Sequence, residues 1–466
     1  MRDILVTMFI LGSLPMALMR PYIGVVMWFL VSYMNFHRSS WGFAYTLPVA
    51  MMVGLATLSA WAMTKDKHPI PKNSVAILMG VFFLWTVVTT GFAIGDQAPG
   101  QLKQFFKIIL MTYVTISLMQ TPKRLRILIW VTFVSLGYFS VKGGVFTILT
   151  GGSFMVWGPP DTFVEDNNAL AMATLMIVPL CIYLAKTVEK KRARQVLFAC
   201  AGLSIVSVIG SYSRGAFLSM VVLGVMLWWR SKKRFAIGIA GVFVIAVGMT
   251  LIPQTYYDRI NTLGSYEEDG SATGRLDIWA VAIDIAARRP ITGGGFYVYT
   301  TDWAYVNQRP DFFHKSFHSI YFEVLAYHGY VGLFLFLALG IAAYRSCGWM
   351  RKQTEDRPDL YDENQRALFL QCCLISYASA GTFQNLAHYD LYYGLLAIII
   401  IARQLLEQKL KMLTPEGALQ PSLAEGGQTA VTEDQPVLVP EPASAKSFVR
   451  TQADIPVEPK KRSFLR

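Results

Sequence analysis

Three side chains that could carry out acid–base or phosphate chemistry lie far apart along this chain. Arg214 lies in residues 211–216, at the joint between two apolar runs, and Arg275 lies in residues 273–279. His318 directly precedes another apolar run. Two guanidinium groups can hold a diphosphate through paired hydrogen bonds, and an imidazole can accept a proton near neutral pH. The three residues predict transfer chemistry with a pyrophosphate leaving group and a histidine base.

The two arginines also have ordinary structural interpretations. At a membrane boundary, Arg214 is either functional or extends its guanidinium to lipid headgroups. Arg275 either binds an anion at the start of a helix that begins near residue 271 or 273, or pairs with Asp277 or Glu268.

A metal site is the next possibility that the histidines raise. His314 and His318 are four residues apart and would share one face of a helix. The glutamate of an HExxH motif is missing and no third ligand is evident, so we expect no metal and no cofactor. We expect the arginines to hold and stabilise the leaving pyrophosphate, a role that Mg²⁺ often has in other enzymes.

The composition predicts a membrane protein. Of 466 residues, 54% are hydrophobic and only 15% are charged, whereas soluble proteins average about 25% charged residues. Apolar runs of roughly 18 or more residues recur, as in transmembrane helices. The net charge of +12 comes from short basic clusters between these runs. No basic strip with interleaved aromatics is present, so we expect membrane lipids and no nucleic acid as partners.

Basic clusters fall in every second connection between the apolar runs, which places those connections in the cytoplasm by the positive-inside rule. The other connections, including residues 253–319, then face the periplasm. The first two runs form a hairpin or one broken crossing, and we favour the second, which gives about 12 crossings rather than about 13. The apolar runs are residues 3–19, 22–34, 42–63, 74–95, 103–120, 127–150, 168–186, 195–213, 215–229, 235–252, 320–344, 367–385 and 389–406.

We therefore predict an all-α polytopic membrane protein with one long periplasmic loop that contains short helices. Its parts are an N-terminal transmembrane bundle (1–252), a periplasmic catalytic loop (253–319), C-terminal transmembrane helices (320–406) and a tail (407–466). The tail is rich in Pro, Ala, Glu, Gln and Ser. Such a segment buries too little apolar surface to fold, so we predict a disordered cytoplasmic tail.

Two further polar residues are candidates for secondary roles near the outer face. Lys142 interrupts the run 127–150 about 23 Å from its cytoplasmic end, at ~1.5 Å per residue. It either extends to the interface or faces a cavity. Asn167 lies beside Asp166 at the start of the next run, where an ordinary helix N-cap is the favoured interpretation.

Three stretches resemble the O-antigen ligase (WaaL) and polymerase superfamily, in the same order. They are Ser-Arg-Gly-Ala around Arg214, Gly-Arg-x-x-Ile-Trp around Arg275, and the stretch from His318 to Gly332. Residues 1–38 and 143–168 are similar to the branch of exosortase A-associated O-glycosylation ligases. The resemblance covers about residues 1–406.

This resemblance implies a glycosyltransferase of the GT-C type in the bacterial inner membrane. It implies inverting transfer of a glycan from undecaprenyl pyrophosphate at the periplasmic face, without a metal. The essential histidine of the family maps onto His318 as base, and its two essential arginines map onto Arg214 and Arg275 as pyrophosphate binders. Ser319 stands where Asn is common, and Tyr327 where a carboxylate is common, which leaves the acceptor open.

Three acceptors fit the same chemistry. The leading hypothesis is ligation onto lipid A–core, and the alternatives are a Ser or Thr hydroxyl of an exported protein or the end of another lipid-linked glycan, as in a polymerase. A transporter of the lipid-linked glycan is the alternative from another class. It predicts charged residues deep in several spans, whereas the candidate groups here gather at one outer face.

Overall fold

A computed structural model of the chain describes residues 2–231, 234–235, 238, 270–307 and 315–413. Over these ranges the protein has 13 α-helices and no β-strand. The helices are α1 (Arg2–Met19), α2 (Pro21–Met34), α3 (Val49–Met63), α4 (Ser74–Gly91), α5 (Ala98–Leu118), α6 (Pro122–Leu149), α7 (Asn167–Thr187), α8 (Lys191–Gly210), α9 (Arg214–Arg230), α10 (Gly270–Arg288), α11 (Ile320–Gln353), α12 (Tyr361–Gly381) and α13 (Asp390–Met412).

The helices confirm the predicted fold class of an all-α polytopic membrane protein. In the described part of the chain, six helices are long and apolar enough to cross a membrane, namely α1, α4, α6, α7, α8 and α11. The helices α2 and α3 are apolar but shorter. The number of about 12 crossings stays a prediction, because residues 239–252 of one predicted run lie outside the described ranges.

The first two helices form an antiparallel hairpin. Ile10 of α1 packs in one cluster with Met27 and Val31 of α2. The chain reverses at Arg20, which is not helical, and Pro21 begins α2. Proline is well suited to the first helical position because its missing N–H is not needed there. This arrangement is the hairpin that the sequence allows beside the favoured broken crossing, and the number of crossings stays a prediction.

The basic connections meet at one end of the bundle, which we call the basic end. Arg126, at the start of α6, lies 3.8 Å from the carboxylate of Asp362. Lys186, at the end of α7, donates a hydrogen bond of 3.2 Å to Gln365 in α12. These contacts join clusters that are far apart in sequence, as their alternation along the chain predicts.

At the other end, α6 and α8 approach closely because small residues line their contact. A Cβ on Gly144 would lie 2.0 Å from the backbone oxygen of Leu203, and a Cβ on Gly143 would meet the hydroxyl of Ser207. Small residues allow such close packing of helices in a membrane. The contact fixes the end of α6 against the turn that leads to Arg214.

The long helix α11 is broken at Gly329, where φ is 68° and ψ is −172°. The N–H groups of Gly294 and Gly295 donate to the carbonyls of Ala326 and Tyr327, at 2.8 and 3.0 Å. A break in a spanning helix leaves carbonyls that need partners away from water. The glycine turn after α10 supplies them, and it thereby holds the first part of α11 in place.

The last helix, α13, continues through Met412. The predicted tail therefore begins too early at residue 407, because charged residues in the last turns of α13 resemble tail composition but still form helix. Residues 414–466 lie outside the described part of the chain.

Candidate active site

His318 ends the connection that leads into α11. Its backbone is in the left-handed region, with φ of 47°. This conformation is uncommon for residues other than glycine, and such strain is concentrated at functional sites. The imidazole Nε2 lies 3.3 Å from the hydroxyl of Ser316, and the side chain is exposed. The ring is thus positioned where a substrate can reach it.

Burial and two charged residues shift the pKa of His318. Partial desolvation by surrounding protein atoms lowers the pKa of His318, the guanidinium of Arg275 lowers it further, and the carboxylate of Asp166 raises it in part. Because the ring also reaches solvent, water screens part of these effects. A lowered pKa keeps the imidazole neutral, which is the form that accepts a proton.

Arg275 comes from α10, which begins at Gly270. The helix starts earlier than the expected cap at residue 271 or 273, so Arg275 lies in the second turn and not the first. The side chain of a helical residue points back toward the helix N-terminus, so the convergence of this guanidinium with free N–H groups at the helix start stays a prediction.

One aromatic side chain contacts both Arg275 and the residue that follows Arg214. The guanidinium of Arg275 lies 5.8 Å from the ring centre of Phe383, which follows α12. Gly215, directly after Arg214, packs against the same side chain, since a Cβ on Gly215 would lie 2.8 Å from the Cβ of Phe383. The start of α9 and the second turn of α10 thus meet at Phe383, although 60 residues separate them in sequence.

Asp166 is the N-cap of α7, as the favoured interpretation of this segment predicts. Its Oδ1 accepts hydrogen bonds from the backbone N–H groups of Asn168 and Ala169, at 2.9 and 3.1 Å. The same oxygen accepts one of 3.2 Å from the side chain of Gln384. The cap therefore also links α7 to the connection between α12 and α13.

Asn167 lies beside this cap and is buried. Its side-chain amide donates a hydrogen bond of 2.7 Å to the backbone oxygen of Ser211, in the turn before Arg214. Asn167 is thus placed to position the turn, and its contact is with backbone and not with an open surface. Lys142 instead lines a cavity together with Arg2 and Arg38.

A buried network of hydrogen-bonded side chains lies behind the site, and the sequence analysis did not predict it. The carboxylate of Glu323 accepts from the backbone N–H of Ala387 at 3.1 Å and lies 3.4 Å from Nδ1 of His388. Nε2 of His388 lies 3.3 Å from Nε2 of His328, whose Nδ1 lies 2.7 Å from the hydroxyl of Thr89. This network of side chains links α11 to the connection that carries Phe383. No spacing signals it, because Glu323 and His388 are 65 residues apart.

Only one histidine of the predicted pair, His318, lies within the described residues. His314 lies outside the described residues, as does Glu268, the alternative partner of Arg275. Within the described ranges, no group of three or more His, Cys, Asp or Glu side chains could hold a metal ion.

Comparison with protein families bears on the segment that carries all three main candidates. Residues 199–337 match the family Wzy_C, described as O-antigen ligase. Residues 199–337 belong to the O-antigen ligase superfamily. Residues 1–189 match a family of unknown function (DUF5935). No curated protein matches the chain.

The O-antigen ligase segment confirms the predicted superfamily, and together with the apolar helices it supports a membrane enzyme of the ligase or polymerase type. The assignment to the exosortase-associated branch stays a prediction. Asp166 and Asn167 lie before the ligase segment, and Phe383 and Gln384 lie after it. The candidate active site is therefore completed by residues from both flanks of the matched segment.

Proposed function

We propose that this protein is an inverting, metal-independent glycosyltransferase. It transfers a glycan from undecaprenyl pyrophosphate to a hydroxyl of lipid A–core at the periplasmic face of the bacterial inner membrane. Arg275 and the residue after Arg214 meet at Phe383, and the charge of Arg275 acts on His318; this arrangement supports the proposal most directly. It groups a neutral base with cations, as transfer from a diphosphate needs.

The acceptor hydroxyl attacks the anomeric carbon of the glycan, and the imidazole of His318 takes the proton of that hydroxyl. The bond between the anomeric carbon and the pyrophosphate oxygen breaks, and its electron pair stays on the pyrophosphate. Attack on the face opposite the leaving group inverts the configuration. His318 then releases its proton to solvent, which it can reach because its side chain is exposed.

The arginines stabilise the leaving pyrophosphate. A guanidinium presents a planar pair of donors that matches two phosphate oxygens, and it keeps its charge at every relevant pH. The charge of Arg275 serves a second purpose, because it also helps to keep His318 neutral. Binding of the anionic donor would offset part of that charge and raise the proton affinity of His318 when the acceptor must be deprotonated.

The acceptor is proposed on the family resemblance. A Ser or Thr hydroxyl of an exported protein and the end of another lipid-linked glycan require the same steps. Transport of the lipid-linked glycan is the alternative of another class, and it would leave the pyrophosphate bond intact.

Reconstitution of the full chain in liposomes tests the reaction class and the acceptor together. A synthetic undecaprenyl-pyrophosphoryl glycan is supplied with lipid A–core, an acceptor protein or a second lipid-linked glycan, side by side. We expect release of undecaprenyl pyrophosphate and glycan transfer to lipid A–core. Glycan that crosses the bilayer with its pyrophosphate link intact contradicts the proposal and favours transport.

The His318→Ala variant tests the base. We expect transfer to fall by about 10²–10⁴-fold, the usual contribution of general base catalysis, while the donor still binds. Turnover in EDTA should equal turnover in Mg²⁺. Full activity of His318→Ala would remove the residue from the mechanism, and a strict requirement for a divalent ion would overturn the metal-independent account.

A further inference from the structure

A second concave site lies at the same end of the bundle as His318 but is built from other residues. We call it the N-terminal cavity. It is formed by the start of α1, the connection 35–48, the later part of α6 and the connection 150–166, and its volume is about 870 Å³. The connection 150–166 leads directly into Asp166, so the cavity and the active site share one continuous segment of chain.

The wall of the N-terminal cavity is cationic. Arg2, Arg38 and Lys142 line it, and none of its lining residues is a carboxylate. Arg38 lies 3.4 Å from the carboxylate of Asp161, outside the lining, and 4.8 Å from the ring centre of Tyr45. A partly exposed ion pair contributes little. The hydroxyl of Tyr45 donates to the same carboxylate, so an incoming anion competes with Asp161 for Arg38.

Exposed aromatic side chains share this wall. Trp41 is 93% exposed, Trp157 is 62% exposed and Tyr138 is 50% exposed, and all three line the cavity. A lone tryptophan at a membrane boundary is usually an interfacial anchor. These rings instead surround one concavity together with three cations. Sugar rings pack their C–H faces on aromatic rings, while carboxylates or phosphates on the sugars pair with the cations.

The walls are held in place by hydrogen bonds between distant segments. The N–H of Val156 donates to the backbone oxygen of Gly210 at 2.9 Å. On the opposite wall, the N–H of Gly42 donates to the carboxylate of Asp3 at 3.0 Å. A cavity formed before its ligand arrives binds without a large ordering cost.

We infer that the N-terminal cavity binds an acidic saccharide, a glycan that carries carboxylate or phosphate groups. All residues that line it fall within residues 1–189, the part that matches the family of unknown function, and none falls in the O-antigen ligase segment. The N-terminal region thereby selects a glycan for the active site. This selection role rests on the proposed function, whereas the binding itself does not.

Binding is tested on the purified full chain in detergent, with tri-galacturonate as the probe and its methyl ester as the uncharged counterpart. We expect the acid to bind about tenfold or more tightly than the ester, as the loss of charge-assisted hydrogen bonds predicts. Added salt should weaken binding of the acid and leave binding of the ester unchanged. Equal binding of acid and ester, or no binding of the acid, overturns the inference.

Variants locate the site. Lys142→Gln and Trp157→Ala should each weaken the binding of tri-galacturonate about tenfold. Lys142→Arg should retain binding because it keeps the positive charge. The matched control is Lys72→Gln, the same change at an exposed lysine between α3 and α4, which should bind as the wild type does. Unchanged binding in both Lys142→Gln and Trp157→Ala overturns the inference.

Two further arms separate the possible sources of the anion. Binding is repeated in nanodiscs of phosphatidylcholine and of phosphatidylglycerol, and we expect the same affinity in both. Loss of binding in phosphatidylglycerol alone would assign the cavity to lipid headgroups and overturn the inference. In the transfer assay, Lys142→Gln should raise KM for whichever substrate, donor or acceptor, carries the acidic sugar.

The outcome for the cavity and the outcome for the proposed reaction are distinguishable. His318→Ala should bind tri-galacturonate as tightly as the wild type. Wild-type protein that binds the probe but transfers no glycan refutes only the proposed function. Protein that transfers glycan but does not distinguish the acid from the ester refutes only the cavity.

Discussion

The side-chain amide of Asn167 is hydrogen bonded to the backbone oxygen of Ser211 at 2.7 Å. Asn167 belongs to the region of unknown function, and Ser211 begins the turn that carries Arg214 in the O-antigen ligase segment. The contact is buried. A residue outside the ligase segment therefore positions one of the arginines that we propose to bind pyrophosphate.

The Asn167→Ala variant should lose both stability and donor affinity. It leaves the backbone oxygen of Ser211 without its partner, which costs about 1–3 kcal/mol, and it releases the turn before Arg214. We expect a lower apparent Tm and a raised KM for the lipid-linked donor. The control is Asn364→Ala, whose side-chain amide donates to the backbone oxygen of Arg351 and the hydroxyl of Thr354 at the basic end, away from Arg214. Equal KM values in the two variants would contradict the positioning role.

The Asp166→Asn variant should change the pH dependence of transfer. The carboxylate of Asp166 raises the pKa of His318, so its removal lowers that pKa further. Transfer declines in acid as His318 becomes protonated, and this decline should therefore move to lower pH in the variant. Asparagine keeps the cap of α7. The exposed Asp96→Asn serves as control in the same pH–rate measurement, and a shift to higher pH in Asp166→Asn would be incompatible with this account.

The Arg275→Lys variant distinguishes charge from geometry. Lysine keeps the positive charge near His318 but loses the planar pair of donors. We expect kcat to fall about 10²-fold, in the range seen when one donor to a developing anion is removed, with the pH profile nearly unchanged. Arg289→Lys, at the end of the same helix, should behave as the wild type. Wild-type kcat in Arg275→Lys would exclude paired contact with pyrophosphate.

The break in α11 predicts an effect on stability. Gly329 has φ of 68°, and a Cβ there would lie 2.3 Å from the backbone oxygen of Ile291. Gly329→Ala should destabilise the protein by about 2 kcal/mol or more, from backbone strain and the close contact. Gly202→Ala makes the same change in α8, where nothing lies within 4 Å of the added carbon. Its Tm should stay the same or rise, and similar unfolding of the two variants would disprove the strain.

Hydrophobicity located most helices but misplaced some of their ends. The predicted run 127–150 corresponds to α6, which starts at Pro122 and is capped by the side chain of Thr121. The prediction placed the charged first turn in the connection, because composition responds to charge and not to backbone hydrogen bonds. The hairpin of α1 and α2 was the less favoured of two alternatives for a related reason, since apolar content does not encode the direction in which the chain continues after a proline.

The candidate site was predictable only where a residue is unusual in its own surroundings. Arg214 and His318 are such residues, because charged or titratable groups at the edge of an apolar run are rare. Phe383 and Gln384 resemble ordinary residues at a helix end. Their contribution depends on contacts with Arg275 and Asp166, which are more than a hundred positions away, and no local pattern reports such contacts.

The bond from Asn167 to Ser211 has a consequence for protein engineering. The two family regions meet near residue 190, which looks like a natural place to exchange one half between related enzymes. The bond crosses that junction, as does the bond from Val156 to Gly210. Chimeras joined there should assemble a misaligned catalytic centre unless both sides of these bonds come from the same parent.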